Sequence, residues 1–290
     1  MGHDAYEASA EAREWFDRAD AALGFKLTDL IFNGPDTELK KTYHTQPALL
    51  TTSLAYLSVL KGKGVEADYA AGHSLGEYSA LVAAGVLSFE DAVRTVRKRG
   101  ELMEAAVPEG KGAMAAVLGA DRETLAAFCA KLSEETGVVE LANVNCPGQI
   151  VISGSREGIQ AAVERGREAG AKRIIPLDVS GPFHSSLMRP AADQLAPVLA
   201  DLKLQAAQIP VVANATAEAV TAAEEIRELL VRQVYSPVLW EDTIRGLIAA
   251  GVDRFVEIGP GTVLAGLIKK IDATVTITSV NSMAAAEAFV

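Results

Sequence analysis

The five residues Gly72-His73-Ser74-Leu75-Gly76 spell G-x-S-x-G, a spacing that places a serine on a sharp turn between a strand and a helix. The glycines serve the turn, because side chains beside the serine would collide there. A helix that begins at this point aims its backbone N–H groups and positive end at any charge forming next to the hydroxyl. The first such donor is the N–H of Leu75. The chemistry to expect is nucleophilic attack by Ser74 on a carbonyl, through a covalent acyl-serine. The alternative is a chance string in a chain rich in glycine and alanine. A short predicted strand before the motif and a helix after it favour the nucleophile.

A serine hydroxyl needs a base, and the chain has only 4 histidines. His3 lies in the N-terminal segment, and His44 precedes Gln46-Pro47 at the head of a helix. His73 adjoins the serine, so its side chain should point away from it. His184 lies in the loop Ser180–Ser186 at a junction between units, where catalytic side chains concentrate, and is the favoured base. An ordinary hydrolase would add an Asp or Glu between serine and histidine in the chain. Apart from Asp178, no acid there ends a core strand, which weakens the esterase reading. Arg99, in the second helix after the motif, could grip a carboxylate with two parallel hydrogen bonds. Its neighbours Arg94, Arg97 and Lys98 read first as a solvated helix face and second as a basic patch for an acidic partner.

The elements that must position these residues alternate between short β-branched runs and longer helical patterns, the mark of an α/β fold. Helices are predicted over Glu11–Leu23, Pro47–Leu60, Leu75 to about Gly85, and Ser88–Ala106, where Ser88 and Asp91 resemble a capping box. A strand is predicted over Ala67–Gly72. From Lys111 to Val179 the order is β-α-β-β-α-β, the split pattern of a ferredoxin-like unit. The chain is therefore expected to divide into a core, 1–108 and 180–290, interrupted by an inserted subdomain, 109–179. The remainder offers strands at Ile209–Asn214 and Arg254–Ile258. It also offers helices at Ala191–Leu202, Ala222–Gln233 and Trp240–Ala250, with a second capping box at Thr221 and Glu224.

Composition sets the outer limits. At 290 residues and 49% apolar the chain can bury a full core, which excludes disorder and a disulfide-held mini-scaffold. A net charge of -11 argues against nucleic acid and anionic membranes as partners. Two cysteines, Cys129 and Cys146, are too few and too far apart for a metal framework, so no metal or cofactor is expected. Met1–Phe16 lacks the apolar core of a signal peptide, and no run of about 18 apolar residues occurs. A cytoplasmic monomer is the expectation.

The segment Gly72–Leu81 resembles the nucleophile segment of bacterial malonyl-CoA:acyl-carrier-protein transacylases. The resemblance continues through Thr45-Gln46-Pro47-Ala48, Arg99-Gly100, Gly112–Ala116, Asn145–Gln149, His184, Arg232–Val238, Trp240 and Glu257–Gly261, essentially the whole chain. It implies an α/β-hydrolase-like core with a ferredoxin-like insertion. It also implies a ping-pong transfer of malonyl from malonyl-CoA to the phosphopantetheine thiol of acyl carrier protein, in fatty acid synthesis by default and polyketide assembly otherwise. By the same resemblance Ser74 is the acylated nucleophile, His184 its base and then acid, and Arg99 the carboxylate anchor. Gln233 would orient the histidine through its main-chain carbonyl, which explains the missing acid. Phe183 would disfavour an α-methyl group by bulk. Family members begin with a strand and a G-Q-G-S-Q loop that donates a second oxyanion N–H. This chain starts just after that point, and a mis-assigned start codon is the expected explanation. The competing readings are a serine esterase or thioesterase with the same turn, and an impaired carrier-binding homologue.

Overall fold

The computed structural model describes residues 1–289. Helices His3–Ala8, Ala10–Leu23, Leu27–Asn33 and Asp36–Leu39 lead into the long helix Thr42–Gly62. Local chemistry sets several of these ends. The Ser9 hydroxyl accepts from the N–H of Ala12, and Gly24 takes the left-handed conformation that stops the second helix. The helices Ala10–Leu23, Thr42–Gly62 and Phe89–Ala105 pack together around Phe16, Leu50, Leu54, Val93 and Val96, all buried. Ser88 caps the last of them, its hydroxyl accepting from the N–H of Asp91 as expected.

Pro47 lies inside the long helix, five residues after its start, where its missing N–H should leave the carbonyl of Tyr43 unpaired. Arg97 supplies the replacement, donating from Nη1 to that carbonyl at 3.2 Å. At the same crossing, a Cβ on Gly100 would lie 2.5 Å from the Cα of Tyr43. Only glycine lets the two helices approach this closely, and that approach brings Arg99 against Gln46.

The core strands are short. Ala70–Ala71 runs parallel to Val211–Val212, which pairs antiparallel with Ala219–Val220. Arg254–Ile258 runs parallel to Thr276–Val280 in a separate sheet. The strands expected at Ala67–Gly72 and Ile209–Asn214 thus shrink to two residues each, and Thr276–Val280 was not foreseen. The expected capping box at Thr221 is absent: helix Ala223–Gln233 begins after Ala222 with no side-chain cap. Thr221 precedes the helix cap, its carbonyl accepting from the N–H of Ala207.

The central segment forms a four-stranded antiparallel sheet from Gly112–Leu118, Val139–Cys146, Gln149–Ser155 and Arg173–Pro176. In space the order is second, third, first, fourth, as in a ferredoxin-like unit. Helices Arg122–Glu135 and Arg156–Arg165 cover one face through Leu125, Phe128, Leu132 and Ile159. The opposite face carries Met114, Ala142 and Val151, against which Phe183 packs. Val139–Cys146 is an edge strand with register shifts at Ala142 and Asn145. On its outer side the Ala142 carbonyl and the Val144 N–H bond to Val238, which joins this sheet to the rest of the chain. Among the described residues no helix is long and apolar enough to cross a membrane.

The helix crossing can be tested with two glycines. Gly100→Ala should destabilise the protein by about 1–3 kcal/mol through overpacking. Gly266→Ala, in a helix with nothing within 4 Å of the added Cβ, should stabilise it by about 0.5–1 kcal/mol. Urea unfolding of the two variants measures both.

Candidate active site

Ser74 sits between strand Ala70–Ala71 and helix Gly76–Ala83 with φ 52°, in the left-handed region that a serine rarely adopts. The turn is too tight for a side chain at Gly72, whose Cβ would lie 2.0 Å from the backbone of Gly76. Both backbone groups of Ser74 are held. Its N–H donates to Asn214 Oδ1 at 2.6 Å, and its carbonyl accepts from Gln233 Nε2 at 2.9 Å. Asn214 also donates from Nδ2 to the carbonyl of Gly72 at 2.7 Å, so one side chain spans the turn. The N–H of Leu75, next in the chain, has no protein acceptor among the described residues.

His184 lies 2.7 Å from the serine oxygen through Nε2, and its Nδ1 lies 2.9 Å from the main-chain carbonyl of Gln233. A carbonyl can only accept, so Nδ1 carries the proton and Nε2 presents a lone pair to the serine hydroxyl. His184 is itself left-handed, φ 57°. Its loop is pinned by Ser185 Oγ donating to the carbonyl of Pro182 and by Ser186 N–H donating to Glu140. Burial, and then the charge of Arg99, push the imidazole down to about 3, so it is neutral at physiological pH.

Arg99 is 1% exposed. Its Nη1 donates to Gln46 Oε1 at 2.8 Å, and its Nη2 to Gln233 Oε1 at 3.0 Å and to Ser74 Oγ at 3.1 Å. Its Nε has no partner among the described residues, and its guanidinium lies 5.7 Å from the ring centre of Tyr78. Burial pulls its pKa down, while Tyr78 and Glu77 oppose that. The arrangement places a permanent cation, without an ion pair of its own, beside a serine that a neutral histidine can deprotonate.

The structure therefore brings Ser74, Leu75, Arg99, His184 and Gln233 into one cluster. His73 points away as expected, its Nε2 2.9 Å from Asn145 Oδ1 and its ring beside Trp240. No acid takes the place of a third triad member. Of the three basic residues, Arg97 is partly buried between helices, while Arg94 and Lys98 lie on the exposed helix face. Arg94 donates to the carbonyl of Ala22, and Lys98 lies 3.7 Å from Glu101. Arg97 bonds Glu101 and the Tyr43 carbonyl while its guanidinium lies 4.4 Å from the centre of the Tyr43 ring. Gln46, Glu77 and Asn214 were assigned no role from sequence. The signals were present: a polar residue at the end of a predicted strand for Asn214, and an acid inside an apolar helix for Glu77.

Residues 1–286 match the acyl transferase domain family. The malonyl CoA-acyl carrier protein transacylase of Bacillus subtilis (strain 168) is 56% identical over 272 residues, 94% of this chain and 86% of that protein. Its namesake in Staphylococcus aureus (strain MRSA252) is 47% identical over 283 residues, 98% of this chain and 91% of that one. Among solved structures, an acyl carrier protein S-malonyltransferase from Vibrio cholerae O1 biovar eltor superposes with a TM-score of 0.96 at 45% identity. That match covers 99% of this chain and 94% of the other. A malonyl-transacylase solved in complex with its type II polyketide acyl-carrier protein superposes at 0.95, also at 45% identity, covering 99% and 93%. The family has the α/β-hydrolase-like core and ferredoxin-like unit described above, and this chain belongs to the acyl transferase domain family.

Proposed function

We propose that this protein is an acyl-carrier-protein S-malonyltransferase. It takes malonyl from malonyl-CoA onto Ser74 and passes it to the phosphopantetheine thiol of acyl carrier protein, for fatty acid synthesis in the cytoplasm. The observation that carries this reading is Arg99 Nη2, 3.1 Å from Ser74 Oγ. An acyl group on that oxygen with a carboxylate one carbon beyond its carbonyl meets the guanidinium; an uncharged acyl group leaves it unpaired. An esterase has no use for such a cation.

In the first half-reaction His184 Nε2 takes the hydroxyl proton as Ser74 Oγ attacks the thioester carbonyl. The C–S bond breaks, and CoA leaves as a thiol with the proton returned by His184. The N–H of Leu75 donates to the oxyanion between these steps. In the second half the carrier thiol gives its proton to His184, its sulfur attacks the ester carbonyl, and Ser74 regains its proton as the C–O bond breaks. Gln233 holds the imidazole in the required tautomer through its carbonyl. The core, 1–108 and 180–290, carries these groups, and the insertion, 109–179, flanks them through its contact with Phe183.

Intact mass after mixing with malonyl-CoA should show one malonyl adduct that acyl carrier protein removes, and Ser74→Ala should form none. No adduct in the wild type would end this reading. Arg99→Ala should lose about 10²-fold or more in malonylation while acetylation falls far less. An unchanged malonyl-to-acetyl ratio would remove Arg99 from its role. Because kcat/KM reports the free enzyme and His184 there is held to about 3, the acylation kcat/KM should not fall between pH 7 and pH 5. An acid limb near the ordinary histidine value would contradict that.

A further inference from the structure

Glu77 lies on the first turn of helix Gly76–Ala83 with 2% exposure, close to the nucleophile but touching neither Ser74 Oγ nor His184. One of its oxygens, Oε2, accepts from the backbone N–H of Asn214 at 3.1 Å and from Gln233 Nε2 at 2.8 Å. These are the two residues whose side chains grip the N–H and the carbonyl of Ser74. The same bond orients the Gln233 amide, sending its oxygen to Arg99. An acid in this position would be costly to bury without compensation, and Arg99 provides the nearby positive charge.

We propose that Glu77 is a positioning residue for malonyl transfer: it braces the serine turn through Asn214 and Gln233, and its charge balances Arg99 until the malonyl carboxylate takes over that balance. The inference rests on the malonyl reading above. When the substrate carboxylate reaches Arg99, two anions would share one buried cation, and Glu77 gives way by taking a proton on Oε1. Oε2 remains an acceptor, so the brace survives the loss of charge. Burial already lifts the Glu77 carboxyl to about 7, with Gln233, Asn214 and Arg99 opposing. The other groups around it keep their charge across that range. Arg99 stays cationic, burial raises the hydroxyl of Tyr78 and holds His184 low and neutral, and burial also lowers His73, with its bond to Asn145 opposing. Glu77 is then the group whose ionisation competes with malonyl binding as pH rises through 7.

The test is the pH dependence of Ser74 acylation by malonyl-CoA and by acetyl-CoA, from about pH 6 to about pH 8, in wild type, Glu77→Gln and Glu77→Asp. In the wild type the malonyl-CoA KM should rise about tenfold across this range, while the acetyl-CoA KM stays flat. Glu77→Gln keeps an acceptor oxygen but no charge, so its malonyl-CoA KM should stay flat and lie below the wild-type value at pH 8. Glu77→Asp should restore the rise. A rise in Glu77→Gln parallel to that of the wild type would overturn the inference. Should that variant not fold, calorimetric binding to Ser74→Ala decides. The malonyl-CoA Kd should climb with pH and the acetyl-CoA Kd should not; equal slopes overturn the proposal. A wild type that forms a malonyl adduct with a flat KM refutes the role of Glu77 alone, whereas no adduct at any pH refutes the malonyl reading and this inference with it.

Discussion

Burying a guanidinium beside a nucleophile is the constraint that shapes the rest of this site. Removing such a charge from water costs several kcal/mol unless its donors are met. Here neutral oxygens meet its two terminal nitrogens, Gln46 and Gln233 on either side and the serine hydroxyl between, while Nε has no partner among the described residues, and the charge can be met by a substrate carboxylate. The helix packing follows from that requirement. Gln46 must come within hydrogen-bond reach of Arg99, so the two long helices meet at Gly100, where no side chain would fit. The proline one residue after Gln46 leaves a carbonyl that Arg97 satisfies at the same crossing.

The absence of an acid behind His184 belongs to the same logic. An aspartate bonded to the imidazole would stabilise its charged form and would compete with the substrate carboxylate for Arg99. A backbone carbonyl fixes the same tautomer without adding a charge. The imidazole is then neutral when empty. As malonyl pairs with Arg99, the repulsion between that cation and a forming imidazolium diminishes, which favours proton removal from Ser74 once the acid-bearing substrate is in place. Gln233 connects these parts by using its carbonyl for His184, its amide oxygen for Arg99, and its amide nitrogen for Ser74 and Glu77.

Much of this was legible in the sequence, and the boundary has physical reasons. Gly72 before Ser74 marks a turn whose local sterics permit little else, whereas the glycine expected to be needed at Gly76 would have room for a side chain. The alternation from Lys111 to Val179 marks a self-contained unit whose strands run four to eight residues. His184 stands out as one of only 4 histidines, and Arg99 as an arginine in the second helix after the serine motif. The core strands were harder, since two-residue ladders such as Ala70–Ala71 have no periodicity to read. Asn214 and Glu77 carry a visible signal, a polar residue ending a strand and an acid in an apolar helix, but their roles come from partners 137 to 156 residues away along the chain. Arg97 shows the reverse error, because a basic stretch on a helix face looks solvated until an orphan carbonyl on another helix claims one of its members.

The claim that a buried cation selects the acyl group is tested most directly by substrates that differ in charge and little in shape. Malonyl-CoA and acetoacetyl-CoA share the same heavy-atom outline, a methyl group of the second standing where the first has a carboxylate oxygen, so only the first carries the charge. The wild-type protein should acylate Ser74 from malonyl-CoA with a kcat/KM about 10² to 10³ higher, because the neutral group leaves Arg99 unpaired in a dry site. Values for the two substrates within about threefold of each other would contradict the account, since one factor of that size is within reach of a single methyl contact.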